Sequence, residues 1–317
     1  MDKNTIKVKK CSSLSTRIIK DLKKNTCIYI MMAPVIVYFI LFRYFAMGWL
    51  SIAFYDFKLL KGFSGSEFVG FKNFVDFFSS RNFGEILSNT VVFNIYAIFF
   101  QMLAPIIFAL LLNELRNAKV KRTIQTISFM PYFISTVVVV SIIMNFLSPS
   151  IGVFNTVRQV MGLPTIYYLG IPEYFRTINI VSGVWQMMGW NAVIYISSLT
   201  TIDPQLYEAA VVDGANRLRR LWSITIPGIR TTIAIMLALN IGNLLSANVE
   251  KVLLLQNDLN LSISEMLPTY VYKLGIVRGD YSYGTTVGLF TALVSCILVI
   301  IANRAAKKIS DSEVGVF

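Results

Sequence analysis

Residues 202–227 read IDPQLYEAAVVDGANRLRRLWSITIP, and the rest of the chain is best understood outward from them. Asp203 is a good N-cap, because its carboxylate can accept from the free amides that open a helix. Pro204 suits the first helical position, where no amide donor is needed. Glu208, Ala209 and Ala210 favour helix, and Gly214 can close it by taking a left-handed conformation that other residues resist. A second helix is expected from about Asn216, ending before Pro227, because proline disfavours helical geometry in the residue preceding it. Arg217, Arg219, Arg220 and Arg230 make the stretch basic. The result is a helix–turn–helix whose small alanines let another surface approach closely: by its chemistry, a docking knob.

On either side lie long apolar segments, at 178–202 and 231–247. Four more follow the same pattern, at 28–54, 86–112, 124–147 and 285–302. The 231–247 segment is at the short end; the others suit the roughly 20 residues that a helix needs to cross a bilayer. Of the 317 residues, 55% are hydrophobic and 15% charged, against about 25% charged in a soluble domain. The excess is clustered: 137–144 and 293–302 contain no charge at all. This excludes an ordinary soluble enzyme, and an aromatic content of 13% excludes a disordered chain. The expected fold class is an all-α polytopic membrane protein with six transmembrane helices.

Six crossings put both termini on one side. With the N-terminus in the cytoplasm, the inner segments hold 19 Lys and Arg and the outer loops hold 9, which is the positive-inside bias. The net charge of +12 is thereby explained by topogenic loops, without a nucleic-acid partner. Arg43 falls inside the first span and can snorkel toward the outer interface. The basic start is long and no small-x-small cleavage site follows, so the first span reads as an uncleaved anchor. Before it, Leu14, Ile18, Ile19 and Leu22 recur at helical spacing among Arg17, Lys20, Lys23 and Lys24. This suggests a short amphipathic helix on the inner leaflet, with a solvated tail as the alternative. The organisation is then 1–27, a cytoplasmic basic tail; 28–85, first helix and external loop; 86–303, a core of five transmembrane helices; and 304–317, a cytoplasmic tail.

Several chemistries are missing. Histidine is absent, removing the usual metal ligand and general base together. All 17 acidic residues lie outside the six spans, which disfavours proton- or sodium-coupled carriers that need ionisable relays. Cys11, Cys27 and Cys296 form no CxxC pair. No Gly-Lys dipeptide, and so no Walker A loop, occurs; if ATP drives this protein, another subunit binds it. No catalytic or metal site is expected. The spans do carry neutral polar groups: Trp185, Gln186, Trp190 and Asn191 in the fourth, and Asn240 and Asn243 in the fifth. Such groups either line a polar passage or hydrogen-bond between helices. For a sugar the combination is apt, since amides both donate and accept and indoles cover ring faces. Gly284, Gly288 and Ala292, four apart, offer a face for close helix packing.

The loop also carries a resemblance. Glu208-Ala209-Ala210, three residues, Gly214, nine residues, Ile224, then Ile226-Pro227 is similar to the EAA motif of binding-protein-dependent ABC importer permeases. Asp213-Gly214-Ala215 matches its common form, and Ile226 stands where the family usually has leucine. Arg43-Tyr44 with Ile52-Ala53-Phe54, LLNELRN at 111–117, PYFIS at 131–135 and YSYG at 281–284 resemble the carbohydrate-uptake branch, and more narrowly its polysaccharide and complex-oligosaccharide permeases. The resemblance implies a bacterial cell membrane protein whose motif helix is a coupling helix between the fourth and fifth spans. Glu208, Ala209, Ala210, Asp213, Gly214, Ala215 and Pro227 would then face a cleft in the ATP-binding subunit. It also implies a second, homologous permease (a heterodimer), two ATP-binding subunits that hold ATP and magnesium, and an extracytoplasmic solute-binding protein delivering a carbohydrate. No cofactor is expected on this chain. The competing readings are an ABC importer of a non-sugar solute, a secondary carrier or channel, a membrane enzyme, and a membrane scaffold. The docking loop argues against a carrier, and the missing acid–base and metal constellations argue against an enzyme.

Overall fold

The structure, a computed structural model, describes residue 21, residues 23–245 and residues 248–309, with the side chains of 308 and 309 excepted. The expected amphipathic helix around Leu14, Ile18, Ile19 and Leu22 lies outside the described residues, as does the tail beyond 309. The chain divides into a unit ending at Ile52 and a unit beginning at Ala53.

The first unit is built on helix α1, Thr26–Phe39, which continues through a π turn at Ile40–Tyr44 and a last turn at Phe45–Gly48. Its side chains are exposed along its whole length, Pro34 and Arg43 included. A helix apolar on every side with none of it buried is suited to lipid rather than to water.

The second unit opens on a small antiparallel ribbon, β1 (Tyr55–Asp56) against β2 (Glu67–Phe68), with Tyr55 opposite Phe68. Among the described residues this ribbon is the one departure from the all-helical expectation. Helices follow: α2 Lys72–Phe78, α3 Phe83–Asn113, α4 Ala118–Phe129, α5 Thr136–Leu147, α6 Val153–Val160, α7 Pro172–Leu199 and α8 Pro204–Val212. Then come α9 Arg217–Gly242, α10 Val249–Leu255, α11 Leu261–Ser264, α12 Leu267–Val271 and α13 Tyr281–Ile309. α3 packs along α7, and α9 along α13. Gly284 takes part in a close approach: a Cβ on it would sit 2.6 Å from the Gly275 Cα. Gly288 has nothing within 4 Å and Ala292 is exposed, so the small-residue face is used at one position only.

Two expected helices are corrected. The 124–147 segment is not a straight span. α4 and the short 3-10 turn at Met130–Phe133 meet α5 at 98°. Pro131 lies in the opening of the tighter turn, while Ile134 and Ser135 are extended, so the helix ends and a new one begins after Ser135. The second loop helix does not stop before Pro227 either. From Arg217 it widens into a π turn at Leu221–Thr225 and continues as Ile226–Gly242. Ile226 donates to Leu221 O, five residues back. The wider turn places Pro227 in the opening turn of the next α-segment, where its missing donor does least harm. At its far end this helix stops at Gly242, not at 247, and Asn243 is the C-cap.

Among the described residues four helices are long and apolar enough to cross a membrane by length and composition, and five if the bent pair counts as one. α7 adds 28 residues, about 42 Å of helix, but starts with Glu173 and Arg176.

Buried amides fix the connections around α7. Asn155 Nδ2 donates to the carbonyls of Leu147, Ser148 and Ile166, and its Oδ1 accepts from Ile166 N at 2.8 Å. Asn260 Nδ2 donates to Leu169 O and Leu255 O. Asn89 on α3 donates to Ser262 O at 2.7 Å and accepts from Arg176 Nη2 at 2.9 Å. Buried carbonyls that would otherwise be orphaned are thereby satisfied, and α10–α12 are fixed against α3 and α7.

Candidate functional site

Two places collect the residues singled out in the sequence. The first is the loop. Asp203 Oδ1 accepts from Gln205 N at 2.9 Å and Pro204 opens α8. At the other end Gly214 has φ +73°, Ala215 N donates to Ala210 O at 2.8 Å and Gly214 N to Val211 O at 3.0 Å. This doubly bonded close is available because glycine carries no Cβ to oppose the left-handed φ. Asn216 Oδ1 then accepts from Arg219 N at 2.8 Å and starts α9. Tyr207 and Thr225 hydroxyls lie 3.1 Å apart, binding α8 to the π turn, and a Cβ on Gly228 would meet Ile202 Cδ1 at 2.6 Å. The knob is therefore braced against the ends of both flanking helices.

Its outward face is not what a solvated loop needs. Glu208, Ala209, Asp213, Gly214 and Pro227 are exposed, Ala210 and Ala215 half-buried. Around them Leu206, Val211, Leu218 and Trp222 are more than half exposed, and Val212 is 87% exposed. Apolar side chains grouped on a rigid projection with basic neighbours are suited to a protein partner.

The second place is a cavity of about 520 Å³ bounded by α3, α7, α9, α10 and the bend between α4 and α5. Gln186, Asn240 and Asn243 line it; Trp185, Trp190 and Asn191 do not. Trp190 instead stacks on Tyr132, with ring centroids 4.2 Å apart and planes within 6°, and packs against Phe129. Trp185 is exposed and Asn191 half-buried on other faces of α7. Gln186 Nε2 donates to Ile134 O at 3.1 Å, capping the carbonyl freed by the bend. Asn240 donates to Met236 O and Asn243 to Leu239 O, each on its own helix. Each amide keeps an oxygen and a second N–H for other partners.

Among the polar lining residues missed from sequence are Asn94 and Gln101 on α3, Asn179 on α7 and Lys251 on α10. A signal existed for three of them. Asn94 and Gln101 are seven apart, as are Asn179 and Gln186, so each pair shares a helix face two turns apart. Lys251 was counted with the outer-loop charges, yet only 2% of it is exposed. Its Nζ donates to the Asn179 carbonyl at 3.3 Å.

A larger groove of about 590 Å³ between α3 and α7 is lined by Phe100, Leu103, Ile107, Val181 and Val184 among others, with Glu173, Arg176 and Thr177 at the start of α7. It lacks converging amides, so the smaller polar cavity is the better candidate for a hydroxyl-rich ligand. Among the described residues no cluster of His, Cys, Asp or Glu could hold a metal ion.

Comparison with known proteins places these features in context. Residues 101–311 match the family described as binding-protein-dependent transport system inner membrane component. The chain is 42% identical over 287 residues to Protein LplB of Bacillus subtilis (strain 168), covering 90% of each chain. It is 42% identical over 301 residues to the polygalacturonan/rhamnogalacturonan transport system permease protein YteP of the same organism, covering 94% of this chain and 93% of that one. In fold it is similar to a chain of a bacterial alginate ABC transporter crystallised with an alginate pentasaccharide-bound periplasmic protein. The TM-score is 0.86 and the identity 35%, over 95% of this chain and 100% of the other.

Proposed function

The chain belongs to the binding-protein-dependent transport system inner membrane components, and from that premise we propose that it forms half of the passage of an ATP-driven importer for an oligosaccharide. It is a non-catalytic membrane subunit, and ATP is hydrolysed by a separate one. An extracytoplasmic binding protein delivers the sugar, a reading supported by the alginate transporter's complex with a pentasaccharide-bound periplasmic protein. A second, homologous permease and two ATP-binding subunits holding ATP and magnesium complete the assembly. α1, α3, the bent α4–α5 pair, α7, α9 and α13 are the six crossings, with both termini cytoplasmic.

The observation that carries this reading is the braced knob at 203–216 with its exposed apolar face. A partner that closes on ATP can push on α8, which is too short and too well capped to absorb the motion. Through the Tyr207–Thr225 contact the push reaches α9. α9 spans 26 residues, about 39 Å, and carries Asn240 into the cavity near its far end. Glu208, Ala209, Ala210, Asp213, Gly214, Ala215 and Pro227 thus serve coupling, and Gln186, Asn240 and Asn243 face the sugar. Motion of α9 relative to α7 changes the spacing of those amides, which is how a site can hold a sugar in one state and release it in another.

Gly214→Val tests the coupling role. A β-branched residue at φ +73° is strained, so ATPase association and uptake should both fall while the chain still reaches the membrane. Wild-type levels of both would remove the assignment of this loop.

A further inference from the structure

Two of the similar proteins are named for acidic polysaccharides, polygalacturonan and alginate, and the cavity of this chain holds residues whose chemistry bears on that charge. A lysine with 2% of its surface exposed sits on its wall. The ammonium has three donors and one acceptor in reach, the Asn179 carbonyl at 3.3 Å. Beside it the Asn179 Nδ2 is buried and has no partner at all, and Asn179 as a whole is 5% exposed. Near Gly183 stands a third donor: a Cβ at that position would lie 2.9 Å from Gln101 Nε2 and 3.7 Å from Lys251 Nζ. The missing side chain at 183 leaves room close to both nitrogens. Among the described residues no carboxylate lines the cavity.

A buried cation with no counter-ion is costly, and buried amide donors left unpaired add to the cost. A fold that keeps both in one cavity is short of an anion with two acceptor oxygens. Hydroxyls can accept from these donors but leave the positive charge uncompensated; a carboxylate brings two acceptor oxygens and the counter-charge together. We infer that Lys251, with Asn179 and Gln101, is a carboxylate-binding subsite in the transport cavity, and that the oligosaccharide carried by this permease contains uronate residues. The inference rests on the sugar-importer reading above and names the class of sugar. Lys251 supplies charge, the two amides supply direction, and Gln186, Asn240 and Asn243 are left for the uncharged hydroxyls.

The test uses the whole transporter (both permeases with their ATP-binding subunits) in lipid nanodiscs without the binding protein. Trigalacturonate and trimannuronate are titrated calorimetrically against their fully methyl-esterified forms, which keep size and hydroxyls and lose the charge. At least one acid form should bind wild type about tenfold or more tighter than its ester, the scale of a hydrogen bond to a charged group. Lys251→Gln should erase that preference and Lys251→Arg should keep it. If the Gln variant does not assemble, Asn179→Asp carries the test: a fixed carboxylate beside the ammonium should exclude the acid forms and spare the esters. Equal binding of acid and ester to wild type, no measurable binding of either acid at millimolar concentration, or a preference that survives Lys251→Gln would each overturn the inference. Uptake of neutral oligosaccharides alone by cells would sink the uronate subsite and leave the sugar importer standing. Uptake of a non-sugar solute, with no carbohydrate carried, would sink both.

Discussion

Gly189 sets how closely α4 can approach α7, and its replacement by alanine gives a prediction that can be worked through in numbers. A Cβ there would lie 2.1 Å from Ser128 O, 2.4 Å from Ser128 C and 2.7 Å from Phe129 N. All three are backbone atoms, so no side chain can swing aside. Restoring an ordinary contact of 3.4 Å from 2.1 Å parts the two helices by about 1.3 Å at this point. The next residue, Trp190, stacks on Tyr132 just before the bend, so the separation also opens that stack. Overpacking of this kind costs about 1–3 kcal/mol, and the lost ring contact adds about 0.5–1.5 kcal/mol. The purified transporter should therefore melt at a Tm lower by about 3 °C or more, with less complex recovered from the membrane. Gly288→Ala is the control, because nothing lies within 4 Å of its added methyl group. If Gly189→Ala and Gly288→Ala melt together with wild type, the close packing of α4 on α7 is not real.

Gln186→Leu and Asn243→Leu should lower transport per assembled complex, read as uptake divided by the amount of complex in the membrane; normal transport per complex would make both residues interhelical contacts only. Asn155→Ala strips three carbonyls and one amide of their partner, so it should cost at least about 2 kcal/mol, seen as a fall in Tm. Unchanged melting would mean that water replaces the asparagine. On a cysteine-free background, single cysteines at Ser64, Met161 and Leu259, all exposed, should react with an impermeant reagent from outside intact cells. Cysteines at Lys119 and Val212 should react only after the membrane is opened, and labelling of Val212 in intact cells would overturn the topology and the coupling role together.

Much of this molecule can be read from its residues because two strong local signals coincide. Long uncharged runs mark most of the helices, and the Asp203, Pro204 and Gly214 trio marks both ends of α8. What escaped the reading depends on geometry that no local pattern reports. Ile134 and Ser135 look like ordinary members of an apolar run, yet they are extended and turn the chain through 98°. Pro227 looks like a helix stop, but a π turn accommodates it. Trp190 carries the same chemistry as a sugar-facing aromatic and is spent on Tyr132 instead. Lys251 stands after Glu250 at the head of a short apolar run, where a charge reads as loop-facing, and only the fold brings it close to Gly183. The missed amides Asn94, Gln101 and Asn179 show that one polar residue in an apolar helix says little, whereas two at a spacing of seven point to a common wall.

The π turn at Leu221–Thr225 also acts as a phase shift. One residue of helix advances the outward direction by about 100°, so the extra residue in this turn fixes which side of α9 looks into the cavity for a given setting of the knob. Were the same five residues wound as plain α-helix, everything beyond them would turn by about one further residue, and Leu239 would point where Asn240 now lies. The knob would still dock and the helix would still span, but the wall offered to the sugar would be greasy. The ATPase-facing and sugar-facing ends of this protein are thus kept in step by a count of residues, and an insertion or deletion in the α-helical part between them does more harm than most substitutions at either end.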